Sequence, residues 1–351
     1  MDNQEDDWRT RRLHEVLDKL RQDYVDGTFK ALRSLRIIVW FERLLTLSGE
    51  KTAYAVGKLI QPEVYGKTKN GTIYRHNLWP KYARGKHLPH KALIERAEQK
   101  FPGSSTILDH VIFEALDLSR PISQSTSRLL QRLRFEVQAA VYEEAMLKLD
   151  LFVRKNFSFE MIDEISSCAH IDAVAAFVIL YREACEVETI APIFSLGEGL
   201  YRNLLVVAVM SLNAPFGKEL AAVVGQYVFA LGSRGGCRVR LDIKLFQKQC
   251  NALELLIDYL YRRKRVSPTA EGYCEAGHDI LLGMLGQSIS HLFLPSAEYS
   301  LPIECVTKEA RVCVETTNNL RTWAWQTTMS GRHSNVVPDS IIDELLKLGN
   351  A

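Results

Sequence analysis

Lys81, Arg84 and Lys86 surround Gly85 in the run Trp-Pro-Lys-Tyr-Ala-Arg-Gly-Lys-His-Leu-Pro of residues 79–89, and Lys67, Lys69 and Arg75 precede them. Ammonium and guanidinium groups at this density bind phosphate oxygens, with an affinity that falls as salt rises. Between Gly66 and Lys100 there are nine Lys or Arg against two acids, Glu95 and Glu98. That local excess of seven positive charges sits in a chain whose net charge is +2, so the other residues together are acidic. Basic charge gathered into about a tenth of a chain is the electrostatic footprint of a nucleic-acid partner. A solvated basic loop is the ordinary alternative.

Other chemistry is less well supported. Cys274 and His278 are four residues apart, and Cys168 and His170 two apart, but no paired zinc spacing joins them. Gly232-Ser-Arg-Gly-Gly-Cys-Arg has glycines and arginines but lacks the lysine and hydroxyl of a phosphate-binding loop. Glu143/Glu144 and Asp163/Glu164 read as surface charge on helices, and no Gly-x-Ser-x-Gly elbow is present. No catalytic residue, metal ligand or cofactor is therefore assigned. An enzyme would need a pocket drawn from groups such as His170, Glu198, Arg202, Arg234 or His278.

The elements that position these residues read as helices. Apolar residues recur at helical spacing over 3–30 (Trp8, Leu13, Leu17, Leu20, Tyr24) and more densely over 29–47, before a stop at Ser48-Gly49. Thr52–Ile60 is a short helix ended by Pro62. Residues 63–73 form a loop with an Asn70-Gly71 turn signal, after which Thr72 caps a helix from Ile73 to about Tyr82. His90–Phe101 is amphipathic, and Ser104 or Ser105 caps a helix over Ile107–Leu116. Ser119–Ser127 is polar and contains Pro121, as a linker would. Leu129–Lys155 is expected to be one long amphipathic helix with a wide apolar stripe, a candidate homodimer surface. Helical patterns fill most of the remainder, with a short strand near Gly236–Leu245 as a minor alternative.

Seven cysteines, irregular in spacing and without a CxxC pair, fit a reducing setting. The acidic, polar start Met1–Asp7 is unlike a signal peptide, and no apolar run reaches the ~20 residues that span a bilayer. A cytoplasmic protein with no membrane partner is expected.

Tyr82-Ala-Arg-Gly-Lys-His-Leu-Pro resembles the end of the recognition helix in Cro-like and phage-repressor-like helix-turn-helix domains, over roughly residues 50–103. Tyr82 takes the aromatic place, Gly85-Lys86 the turn, and Pro89 the start of the next helix. Ala83 stands where that family commonly has an acid. Thr52–Ile60 and Ile73–Leu78 would be the helix pair, joined by eleven or so residues in place of a turn of 3–4. The resemblance implies DNA binding. Apart from it, a helix N-terminus near Thr72–Arg75 would offer free N–H groups to phosphate, with Arg75, His76 and Asn77 nearest the bases and Lys67, Lys69, Lys81, Arg84 and Lys86 on phosphates. The fold expected is all-α. A helix-turn-helix-like domain spans 1–118, a linker 119–127, and a larger α-helical domain for protein contact or sensing 128–351. A non-catalytic interaction protein with a degenerate helix-turn-helix is the first alternative, and an enzyme with a C-terminal active site the second.

Overall fold

One helix is buried on every side over residues 37–42, and the first part of the molecule is assembled around it. In a computed structural model, which describes residues 3–22, 27–67, 73–75, 77–168, 170–187, 190–210, 214–267, 269–330 and 337–350, the chain divides into two units, Met1–Asp117 and Leu118–Ala351. Both are helical, and the chain is all-α, with four short strands among the described residues. No helix among the described residues is long and apolar enough to cross a membrane.

The N-terminal unit runs α1 (Asn3–Gln22), α2 (Gly27–Ser48), α3 (Ala53–Ile60), β1 (Tyr65–Lys67), β2 (Ile73–Arg75), α4 (Leu78–Ala83), α5 (Lys91–Lys100) and α6 (Val111–Ala115). The central helix is α2. Its Trp40, Phe41 and Leu44 are at most 1% exposed and join Val56, Ile60, Trp79, Tyr82, Leu93 and Ala97 in one core. Within this apolar helix lies Glu42, itself buried, and the fully buried Arg12 of α1 donates to it, with Arg9 at 3.4 Å. A buried carboxylate is tolerated because this guanidinium meets it.

Two expectations fail here. Ile73–Arg75 is not the first turn of a helix but a strand, antiparallel to Tyr65–Lys67 in the register Tyr65↔Arg75 and Lys67↔Ile73. Ile and Tyr favour the extended chain, and Asn-Gly is a hairpin connection; Asn70 and Gly71 themselves lie outside the described residues. The helix expected over Ile107–Leu116 is broken into a 3-10 turn, Thr106–Asp109, and α6, which His110 caps by accepting from the Ile112 N–H at 3.1 Å. Ser104 and Ser105 are engaged elsewhere. With Gly103 they donate to the Glu98 carboxylate at 2.6–3.2 Å.

The C-terminal unit runs α7 (Thr126–Leu130), α8 (Phe135–Val141), α9 (Glu144–Leu147), α10 (Phe159–Ser167), α11 (Ile171–Val187), α12 (Ile190–Val209), α13 (Ala214–Val223), β3 (Cys237–Arg240), α14 (Ile243–Arg262), α15 (Ala270–Leu282), α16 (Gln287–Ser290), β4 (Ser296–Tyr299), α17 (Lys308–Met329) and α18 (Asp339–Asn350). Helices α11 and α12 form its centre. Ile171 to Arg182 is buried without interruption. A Cβ on Gly199 of α12 would lie 2.7 Å from Phe177 of α11, and one on Gly217 would lie 2.4 Å from the Ala208 backbone, so both crossings need glycine. Beside them β3 pairs antiparallel with β4, from Cys237↔Tyr299 to Arg240↔Ser296.

The long helix expected over Leu129–Lys155 does not form. Its apolar residues are shared among α7, α8, α9 and an extended run beyond Asp150, which sits in the left-handed region at φ 56°. The chain doubles back, so that Tyr142 bridges Arg154 and packs edge-on against Phe152 at 5.3 Å. The proposed dimer stripe is therefore absent as a continuous helix. The expected linker is tied down within this unit. Ile122 is buried, and the Ile122 and Ser123 N–H groups donate to Glu186 of α11 at 2.7 and 2.9 Å.

Candidate nucleic-acid interface

The segment from α3 to Pro89 is held from beneath by aromatic packing. Trp79 of α4 stacks on Trp40 of α2 (centroids 6.1 Å apart, 21° between planes), and Tyr82 packs edge-on against both. The Trp79 indole N–H donates to Gln61 at 3.2 Å. Where α3 meets this cluster, a Cβ on Gly57 would lie 2.0 Å from the Tyr65 hydroxyl and 2.4 Å from the Trp79 ring. Thr52 caps α3 by accepting from the Ala55 N–H at 3.2 Å.

Helix α4 starts at Leu78, so Pro80 lies in its first turn, where a missing N–H removes no helical bond. The helix ends in a Schellman motif: Gly85 N–H donates to Tyr82 C=O at 2.9 Å and Lys86 N–H to Lys81 C=O at 2.8 Å. Gly85 has φ +64°, and a Cβ there would also lie 2.6 Å from the Ser34 carbonyl. The Tyr82–Pro89 turn is thus a fixed structural corner, with Tyr82, Ala83, Gly85 and Pro89 all buried.

The expected site residues separate into groups. Lys67 closes β1 and Arg75 closes β2, whereas Lys69 and His76 lie outside the described residues. Asn77 is the exposed residue before α4, and Lys81 is exposed on it. Arg75, in a strand, and Asn77, before α4, therefore do not belong to the first turn of a recognition helix, as the sequence had suggested. Lys86 pairs with Glu15 at 3.0 Å, so part of its charge is used inside the unit. Arg84 is half-buried and lines a cleft. Of the other cations in the basic stretch, Lys91 pairs with Glu95 at 3.7 Å, and Arg96 grips both oxygens of Glu63, holding that carboxyl below its usual range. Lys58 on α3 and Lys81 on α4 are exposed and make no ion pair among the described residues. Lys58 was missed by the sequence argument, since only the packing of α3 on α4 makes it part of the same unit surface.

The groups nominated for catalysis give a different picture. Glu198 and Arg202 form an ion pair at 2.7 Å. His278 lies with Arg202, Asn203 and Ser166 around a cavity of about 20 Å³, room for about one water. Burial lowers the His278 pKa from its ordinary value. Arg234 carries no described side chain. His170 caps α11, accepting from the Asp172 N–H at 3.2 Å. Burial pushes the Cys168 thiol up to about 11 and Cys250 up to about 12, the reverse of an activated nucleophile. No group of three or more metal-ligating side chains occurs among the described residues. Comparison with protein-family models, with curated proteins and with solved structures finds nothing that matches this chain.

Proposed function

We propose that the N-terminal unit binds nucleic acid, duplex DNA in the first place, through the β1–β2 hairpin and the exposed side of α4. In this reading the protein is a regulator whose C-terminal unit makes protein contacts. The observation that carries it is the charge of the α3–hairpin–α4 segment. From Lys51 to Lys86 there are eight Lys or Arg and a single acid, Glu63, and that acid is held by Arg96.

A two-stranded ribbon fits the B-DNA major groove as well as a helix does. A hairpin in place of the tight turn therefore supports a β-ribbon mode rather than a helical one. In this reading Lys67, Lys69, Arg75 and Lys81 contact phosphates, and His76 and Asn77 are nearest the bases. Lys86 and Arg84 leave the direct set, one tied to Glu15 and the other drawn into a cleft. For the C-terminal unit, Leu149, Leu151, Val153 and Phe159 are 48–70% exposed, which favours protein contact there.

The test is the triple variant Lys67→Ala, Lys69→Ala, Arg75→Ala, with duplex affinity measured by fluorescence anisotropy. Its salt slope is expected to fall by about 3, near one per lost phosphate contact, with the circular dichroism unchanged. An unaltered slope would remove the hairpin from the interface.

A further inference from the structure

We propose that a cleft in the N-terminal unit binds a small amphipathic anion, a compact apolar body carrying one carboxylate or phosphate group. The cleft has a volume of about 270 Å³. That is just below the span of cavities that take drug-sized ligands, about 300–1,000 Å³, so the ligand is compact. Trp8 of α1, Phe41 and Leu45 of α2, and Pro80 of α4 form the apolar walls. Phe41 and Leu45 belong to the buried core, so those walls are preformed.

Two cations complete the lining, Lys51 just before α3 and Arg84 just after α4, and no acid lines the cleft. Neither cation makes an ion pair among the described residues, although Arg9 and Arg12 nearby are both taken by Glu42. Those two guanidiniums lie 5.2 and 4.9 Å from the Trp8 ring. Thr52 also lines the cleft, its hydroxyl oxygen accepting from the Ala55 N–H at 3.2 Å.

An apolar cleft focuses the field of its unpaired cations. A ligand anion there gains charge-assisted hydrogen bonds, of which the Arg84 fork can supply two in parallel. The apolar body covers Trp8 and Pro80. Anion binding in the cleft does not require nucleic-acid binding, so the two proposals fail separately.

The full chain is titrated calorimetrically with 1-naphthoate, 1-naphthyl phosphate and the neutral 1-naphthalenemethanol. One anion or both are expected to bind saturably at 1:1, with the neutral probe at least tenfold weaker. The variant Lys51→Met, Arg84→Met keeps the apolar stems and is expected to bind anions at least tenfold more weakly. Arg84→Lys with Lys51→Arg restores most of the affinity if charge is the cause. Equal binding of neutral and anionic probes, no saturable 1:1 binding, or full anion affinity in the double Met variant would each overturn the proposal. A thermal melt of each variant checks that folding is kept.

Discussion

In the N-terminal unit a tight aromatic cluster, Trp40, Trp79 and Tyr82, lies under a surface with exposed cations such as Lys58 and Lys81. In the C-terminal unit polar groups are buried between helices instead. Tyr201 donates to Gln249 at 2.5 Å, and Gln249 donates to the carbonyls of Leu292 and Leu294 at 2.7 and 3.0 Å. Its surface over 146–159 exposes Met146, Leu149, Leu151 and Phe159. Charge held outward is available to a partner in solution. Polar groups held inward fix which helices pack together and are not available to a ligand. The first unit thus leaves charge open at its surface, and the second spends buried polar groups on packing specificity.

The largest effect is expected where the N-terminal unit departs from this rule. Glu42→Ala leaves Arg12 buried without its carboxylate, a change that typically costs about 3–5 kcal/mol. Urea unfolding should show that loss, together with faster amide exchange over α2. A cost under about 1 kcal/mol would mean that Arg12 finds water easily and that the core is looser than its packing implies.

The matching change in the C-terminal unit is Tyr201→Phe. It leaves the ring packed on Phe246 but takes a donor away from Gln249. A buried acceptor left unsatisfied costs about 1–3 kcal/mol. A neutral result would show that Gln249 is satisfied without Tyr201, and would weaken the contrast between the units.

A smaller effect depends on pH. The N–H groups of Gly103 and Ser105 are the main cause that holds the Glu98 carboxyl at about 2 against an ordinary 4.5. A carboxylate whose folded pKa is depressed adds stability above its unfolded pKa, and that stability is lost as pH falls. The contribution should therefore be complete above about 4.5 and disappear toward 2. Glu98→Gln should flatten the acid side of the stability curve in that window. A curve unchanged from the parent would show that solvent screens this loop fully.

The sequence pattern located some elements and missed others for identifiable reasons. Helix α2 was legible from its dense apolar spacing, α3 from Thr52 and Pro62, and α5 from the His90 start and the Pro102-Gly103 stop. The hairpin was not, although Asn70-Gly71 signalled a turn, because Thr72 reads as the cap of a helix starting at Ile73. The long helix over 129–155 failed because Tyr142 folds back onto Phe152, a tertiary contact that helical spacing cannot reveal. Of the expected site, the basic segment could be read directly, since it is contiguous. The cleft could not, because Lys51 and Arg84 are far apart in the chain and come together only when α3 packs near α4.

The central claim is tested most directly by wild-type binding to a random duplex, followed by fluorescence anisotropy from about 50 to about 200 mM salt. The account predicts measurable binding at low salt and a fall of at least an order of magnitude across that range, log affinity being linear in log salt. No binding at about 50 mM, or binding indifferent to salt, would contradict it and leave the basic hairpin without a phosphate partner.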